Sequence, residues 1–242
     1  MSRFNSYRAW PLATLALIGG CSDGGPNQAQ VSLNVATHAS TAAGTSLAVE
    51  GTPETFTDGT NTLVINSVRF VLREIELHRA GAASDCLEGA DDDCEELELG
   101  PVLVDLPLGT PGAARTFTVE LAPGSYDEVE FELHRVTSGE DAAFLQEHPE
   151  LQDASVLVNG TYNGEAFAYV GRFGAEMEFN LVPQLTVAEA GATDLTLFVS
   201  LDSWFRNQSG SLVHPATANE GGPNQSLVEQ NIKASLDAFE DE

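Results

Sequence analysis

Apolar and polar residues alternate with a period of two along most of the chain. Residues 30–37 carry Val31, Leu33 and Val35 on one parity, residues 115–121 carry Phe117, Val119 and Leu121, and residues 126–135 carry Val129, Phe131 and Leu133. Successive side chains of a strand point to opposite faces, so each stretch predicts a half-buried β-strand. Further alternating runs are Met177, Phe179, Leu181 and Leu195, Leu197, Val199, Leu201, with Pro183 between them marking an edge or corner. Residues 102–106 form a short apolar strand, and Pro123-Gly124-Ser125 makes a turn. Asn163-Gly164 joins residues 155–162 to residues 165–173 as a two-residue hairpin turn, because both residues tolerate positive φ.

The strongest strand signal, residues 62–79, changes parity twice. Its apolar positions are Leu63 and Ile65, then Val68, Phe70 and Leu72, then Ile75 and Leu77. A strand keeps one face buried through such changes only with bulges, which fall near Asn66-Ser67 and Arg73-Glu74. Residues 39–61, rich in Ala, Ser, Thr and Gly, predict a long loop with a short strand near Leu47-Ala48-Val49. Two stretches switch to helical spacing. Residues 140–147 predict a short helix ending before Pro149, and Ser226-x-x-Glu229 is a capping box followed by Val228, Ile232, Leu236 and Phe239. Many short strands and one terminal helix predict an all-β fold: an antiparallel Greek-key β-sandwich, immunoglobulin-like or related, with one C-terminal α-helix. No composition shift divides residues 30–242, which are expected to form one domain.

The N-terminus follows different rules. Arg3 and Arg8 precede an apolar run, residues 9–18, and then Gly19, Gly20 and Cys21. This is the layout of a secretory signal, and the run is too short to span a bilayer as a helix. Ile18-Gly19-Gly20-Cys21 resembles the lipobox of bacterial lipoproteins. The resemblance implies a signal peptide over residues 1–20, cleavage before Cys21, diacylglycerol on its thiol and an acyl chain such as palmitate on its amine. Two or more chains give stable anchoring, at about 0.8 kcal/mol per buried CH₂. Residues 21–29 then form a polar tether with an r.m.s. reach of about 16 Å. Ser22 in place of Asp resembles outer-membrane sorting, so the expected address is the cell envelope, anchored to the outer membrane on its periplasmic or surface face.

Charge narrows the partners. With 37 acidic and 10 Lys or Arg residues the formal charge is −27 at pH 7, and loss of Arg3 and Arg8 makes it −29. Such a field repels nucleic acid. The expected partners are the membrane, through the lipid, and an envelope protein. With Cys21 acylated, Cys86 and Cys94 remain as an even pair and read as a disulfide closing a loop tip. A loop that short limits the gain to about 2.5 kcal/mol.

Catalytic signatures are missing: no Gly-x-Ser-x-Gly, His-Glu-x-x-His or Gly-x-Gly-x-x-Gly occurs. A non-enzymatic binding or structural module without a resident cofactor is expected. Metal binding is the alternative. Glu74-Ile75-Glu76-Leu77-His78-Arg79 is echoed by Glu130-Phe131-Glu132-Leu133-His134-Arg135, and in both the acids and the imidazole share one strand face. If the two strands are neighbours, Glu76, His78, Glu132 and His134 converge as ligands for zinc, copper or a similar ion. Simple polar-out alternation explains the same pattern. Asp91, Asp92 and Asp93, with Glu88, Glu95 and Glu96, offer oxygens to calcium, though without EF-hand spacing. Trp204-Phe205 and the pair Tyr162, Tyr169 suit a ligand platform, but core packing is the simpler role.

The order of elements also resembles a group of uncharacterised acidic bacterial lipoproteins with a β-sandwich domain. Ile75-Glu76-Leu77, the turn Ala122-Pro123-Gly124-Ser125-Tyr126-Asp127-Glu128-Val129-Glu130-Phe131, the hairpin Asn159-Gly160-Thr161-Tyr162-Asn163-Gly164, and the tail segments Asn231-Ile232-Lys233 and Ala238-Phe239-Glu240-Asp241 carry it. The resemblance implies a fold and an address, without a reaction.

Overall fold

The alternating stretches become strands that stack as two sheets. A computed structural model describes residues 29–37, 52–81, 94–97, 100–109, 114–188 and 192–240. In chain order the elements are β1 (Ala29–Thr37), β2 (Glu54–Thr57), β3 (Thr62–Arg79), β4 (Cys94–Leu97), β5 (Val102–Asp105), β6 (Ala114–Leu121) and β7 (Gly124–Leu133), then helix α1 (Ala142–Glu147). They continue with β8 (Val156–Tyr162), β9 (Glu165–Gly171), β10 (Ala175–Val187), β11 (Ala192–Val199), α2 (Gln225–Lys233) and β12 (Leu236–Glu240). The short strand expected near Leu47-Ala48-Val49 lies outside the described residues, as do Cys21, Cys86, Asp91, Asp92 and Asp93. Cys94 is described through its backbone, which lies opposite His78 in the β3–β4 ladder.

The smaller sheet runs β12-β11-β1-β6, and the larger runs β10-β7-β3-β8-β9 with β2, β4 and β5 also paired to β3. All-β sandwich with a helix near the C-terminus is therefore the architecture. One pair, β1 with β11, runs parallel. The faces turned inward are the apolar parities of the sequence. Val31, Leu33 and Val35 meet Leu195, Leu197 and Val199 on one side, and Leu63, Phe70, Leu77, Val129 and Phe131 supply the other, all at most 2% exposed. Each such side chain contributes about 1.5–3 kcal/mol of transfer free energy as an upper estimate.

β3 keeps its apolar face buried because both expected bulges form. The register shifts between Ile65 and Ser67 against β8, and between Arg73 and Ile75 against β7. Glu74 takes φ 52° at the second bulge, a conformation that favours glycine. Between the bulges the sheet forks. Val71 accepts from the His134 N–H at 2.9 Å and donates to the Ser155 carbonyl at 3.0 Å, so β7 and β8 lie end to end along one edge of β3. The opposite edge is taken by β5 over Arg69 to Leu72. A second cluster (Val71, Val136, Leu151, Ala154 and Leu157, with Phe144 and Leu145 of α1) fills the outer side of the fork.

The Asn163-Gly164 turn forms with φ of 52° and 84°, as its hairpin chemistry requires. Pro183 lies in β10, at the end of the larger sheet, within the register shift between Asn180 and Leu185. The free edge of β9 is closed by a side chain. Asn219 accepts from the Val170 N–H at 2.8 Å and donates to the Ala168 carbonyl at 3.1 Å, in the way a neighbouring backbone would.

The terminal helix needs correction in extent. Helical spacing extends through Phe239, but α2 stops at Lys233 and residues Leu236–Glu240 form β12 along the edge of β11. The break is made at Ser235, whose hydroxyl donates to the Ile232 carbonyl and accepts the Trp204 indole N–H at 2.6 Å. An unpaired β11 edge then offers five residues a full ladder, which outweighs a weak periodicity. The capping box is also replaced. The helix begins at Gln225 after Asn224, and Gln225 donates to Glu229 at 2.8 Å. Asn231 donates to the carbonyls of Ser203, Trp204 and Arg206, fixing α2 across the end of the sandwich.

Candidate metal site

The second half of β3 lies beside β7, and β7 beside β10. Antiparallel register places Glu76 opposite Glu130 and Glu130 opposite Glu178; the next row is His78, Glu128 and Asn180. Because Ile75, Leu77, Val129 and Phe131 take the inner face, these polar residues occupy the outer one. The alternation that buries the core thus builds the site.

The His78 imidazole stands between two carboxylates. Its Nε2 lies 3.4 Å from Glu130 Oε1 and its Nδ1 lies 3.6 Å from Glu128 Oε1. One ligand atom each of Glu76, His78 and Glu130 falls within 4.8 Å of the other two, and all three residues are partly buried. Donor atoms around a tetrahedral zinc-type ion are about 3.4 Å apart, so small side-chain movements close this set on an ion. Burial and the neighbouring Glu178 carboxylate raise the Glu128 carboxyl above its ordinary range, against the opposing pull of His78. An open depression of about 200 Å³ adjoins the set, lined by Glu74, Glu76, Glu130, Phe131, Glu132 and Glu176.

The four residues marked by the sequence echo do not all meet here. Glu76 and His78 do. Glu132 turns instead to Arg73, whose Nε lies 3.0 Å from Glu132 Oε2. His134 is 3% exposed beneath the loop before α1, with Nε2 2.9 Å from Asp141 Oδ2 and Nδ1 3.2 Å from Glu132 Oε1. Asp141 Oδ2 also accepts the Thr137 N–H at 2.7 Å. The reason is direction. An echo aligns two segments head to head, whereas antiparallel neighbours run head to tail, so His78 meets Glu128 and His134 lies near Val71. Glu130 and Glu128 were therefore missed as partners of His78. Pairing the two segments in reverse order, as antiparallel neighbours, is the signal that finds them.

The aromatic candidates divide. Trp204, Phe205 and Tyr169 are core residues at most 1% exposed, with Tyr169 and Phe205 edge to face at 5.4 Å. Tyr162 is half-buried, tilted against His214 at 4.7 Å between ring centroids.

No protein-family model matches the chain, and no curated protein matches it. Among solved structures the chain is similar to MbnP from Methylosinus trichosporium, with 13% identity and a TM-score of 0.45, covering 89% of this chain and 99% of that one. At that distance no residue role is carried across.

Proposed function

We propose that the chain is a non-enzymatic, lipid-anchored envelope protein that holds a divalent transition metal of the zinc or copper type on Glu76, His78 and Glu130. One observation carries the metal: three donor atoms of a nitrogen–oxygen–oxygen set within 4.8 Å of one another on adjacent strands. Imidazole with carboxylate suits borderline ions, and three protein ligands leave a fourth position for water or a further carboxylate. Glu128 facing the second ring nitrogen is the arrangement that orients a metal-bound imidazole. The anchor rests on the Ile18-Gly19-Gly20-Cys21 tetrad behind its apolar run.

Titrating the full chain with zinc and with copper, followed by calorimetry, tests the metal. One equivalent should bind, and His78→Ala should weaken binding by at least the roughly tenfold that loss of a mere supporting residue costs a metal site. His134→Ala, outside the set, should leave the affinity unchanged. Equal binding by the parent and the His78 variant would remove the proposal.

A further inference from the structure

Beside the depression a cation, Arg73, pairs with two of the acids that line it. Arg73 commits each of its three side-chain nitrogens to a different carboxylate: Nη2 to Glu74 at 2.8 Å, Nε to Glu132 at 3.0 Å and Nη1 to Glu140 at 3.4 Å. Neighbouring residues of a strand ordinarily point to opposite faces, so Arg73 and Glu74 should not meet. They do because Glu74 occupies the bulge with φ 52°, which leaves both side chains on the outer face. Glu74 and Glu132, the two acids so engaged within the depression, line it alongside Glu76 and Glu130.

The chemistry of the depression depends on that engagement. Glu74, Glu76, Glu130, Glu132 and Glu176 together would present an oxygen-rich bowl, and calcium takes about 6–8 oxygen ligands at about 2.3–2.6 Å. Charge-assisted bonds to a guanidinium turn two of those carboxylates toward Arg73. What stands beside His78 is then a small nitrogen–oxygen–oxygen set, which fits a four-coordinate ion, while two of the five carboxylates that could fill a calcium shell are turned away. Lysine would not serve equally. Its three donors radiate from one nitrogen on a flexible stem, whereas the guanidinium spreads five over three nitrogens in a rigid plane and so fixes where each carboxylate sits.

We infer that Arg73 is the specificity-determining residue of the proposed metal site, excluding calcium by withholding Glu74 and Glu132 from it. This rests on the transition-metal reading above. The decisive quantity is the ratio of the calcium to the zinc dissociation constant, measured by equilibrium dialysis on the full chain. In Arg73→Gln the ratio should move toward calcium by about tenfold, the scale on which added carboxylates tune calcium sites. An unchanged ratio in a folded variant overturns the inference, since a general loss of positive charge strengthens both ions alike. If circular dichroism shows that Arg73→Gln does not fold, Arg73→Lys decides the matter: it keeps the charge but has one nitrogen, and the ratio should move the same way by about threefold. No movement there overturns the inference as well. Zinc binding by the parent chain is the separate control: its absence removes the metal site itself, while its presence with an immobile ratio removes only the role of Arg73.

Discussion

Asp58 shows how one side chain ties distant parts of the chain together. Its carboxylate accepts the N–H groups of Thr60 at 2.8 Å and Asn61 at 2.6 Å, the Asn61 amide at 3.1 Å, and the Leu212 N–H at 2.8 Å. Those bonds, led by Asn61 and Thr60, hold the carboxyl well below its ordinary value of 3.8. The ionised form is thus favoured by folding. Its contribution is complete above the ordinary value and is lost as pH falls through the folded one. Asp58→Asn should therefore be less stable than the parent at about pH 7, with a smaller difference at about pH 3. Urea denaturation at both pH values checks this, and an equal difference at the two would count against it. The Asx turn at Asp58 is visible in Asp58-Gly59-Thr60-Asn61 as a turn sequence. The bond to Leu212 is not, because it spans a separation of 154 residues.

At the scale of elements, the fork of the larger sheet depends on the segment between β7 and β8. That segment carries α1 and three residues of the smaller cluster, Val136, Leu151 and Ala154, and the buried His134–Asp141 pair holds it to the end of β7. Asp141→Ala leaves a buried imidazole and the Thr137 N–H without their acceptor. The expected loss is about 2–4 kcal/mol, measured by denaturant unfolding with slope m unchanged. A loss of less than about 0.5 kcal/mol, the ordinary range for surface positions, would show that the pair does not hold the segment. Much at this scale was legible. The two bulges of β3, the Asn163-Gly164 turn and the start of β1 near Gln30 all follow from local pattern. The fork was not legible, since Val71 reads as one more apolar residue and its two partners lie 63 and 84 positions away. The end of α2 was misread for a related reason: the edge of β11, which draws residues Leu236–Glu240 into a strand, belongs to the assembled sheet.

For the whole molecule, the formal charge of −27 and the N-terminal twenty residues make claims that do not pass through the fold. Cys21→Ala should abolish acylation and leave an unprocessed or soluble product, read by detergent extraction and membrane partition. Partition identical to the parent would end the lipoprotein assignment. What the chain determines by itself is whatever depends on neighbours in sequence: strand parity, bulge positions, turn residues and the density of acids. Those features fix the all-β sandwich and the outward placement of Glu76 and His78, because side-chain direction in a strand is a local property. Which acid meets His78 was decided only in the tertiary structure. Register between strands depends on chain direction and on bulges acting together, and it replaced the anticipated Glu132 and His134 with Glu130 and Glu128. The same packing placed Arg73 among the acids and buried His134 beneath the loop before α1, and no ligand pattern in the sequence distinguishes the two histidines.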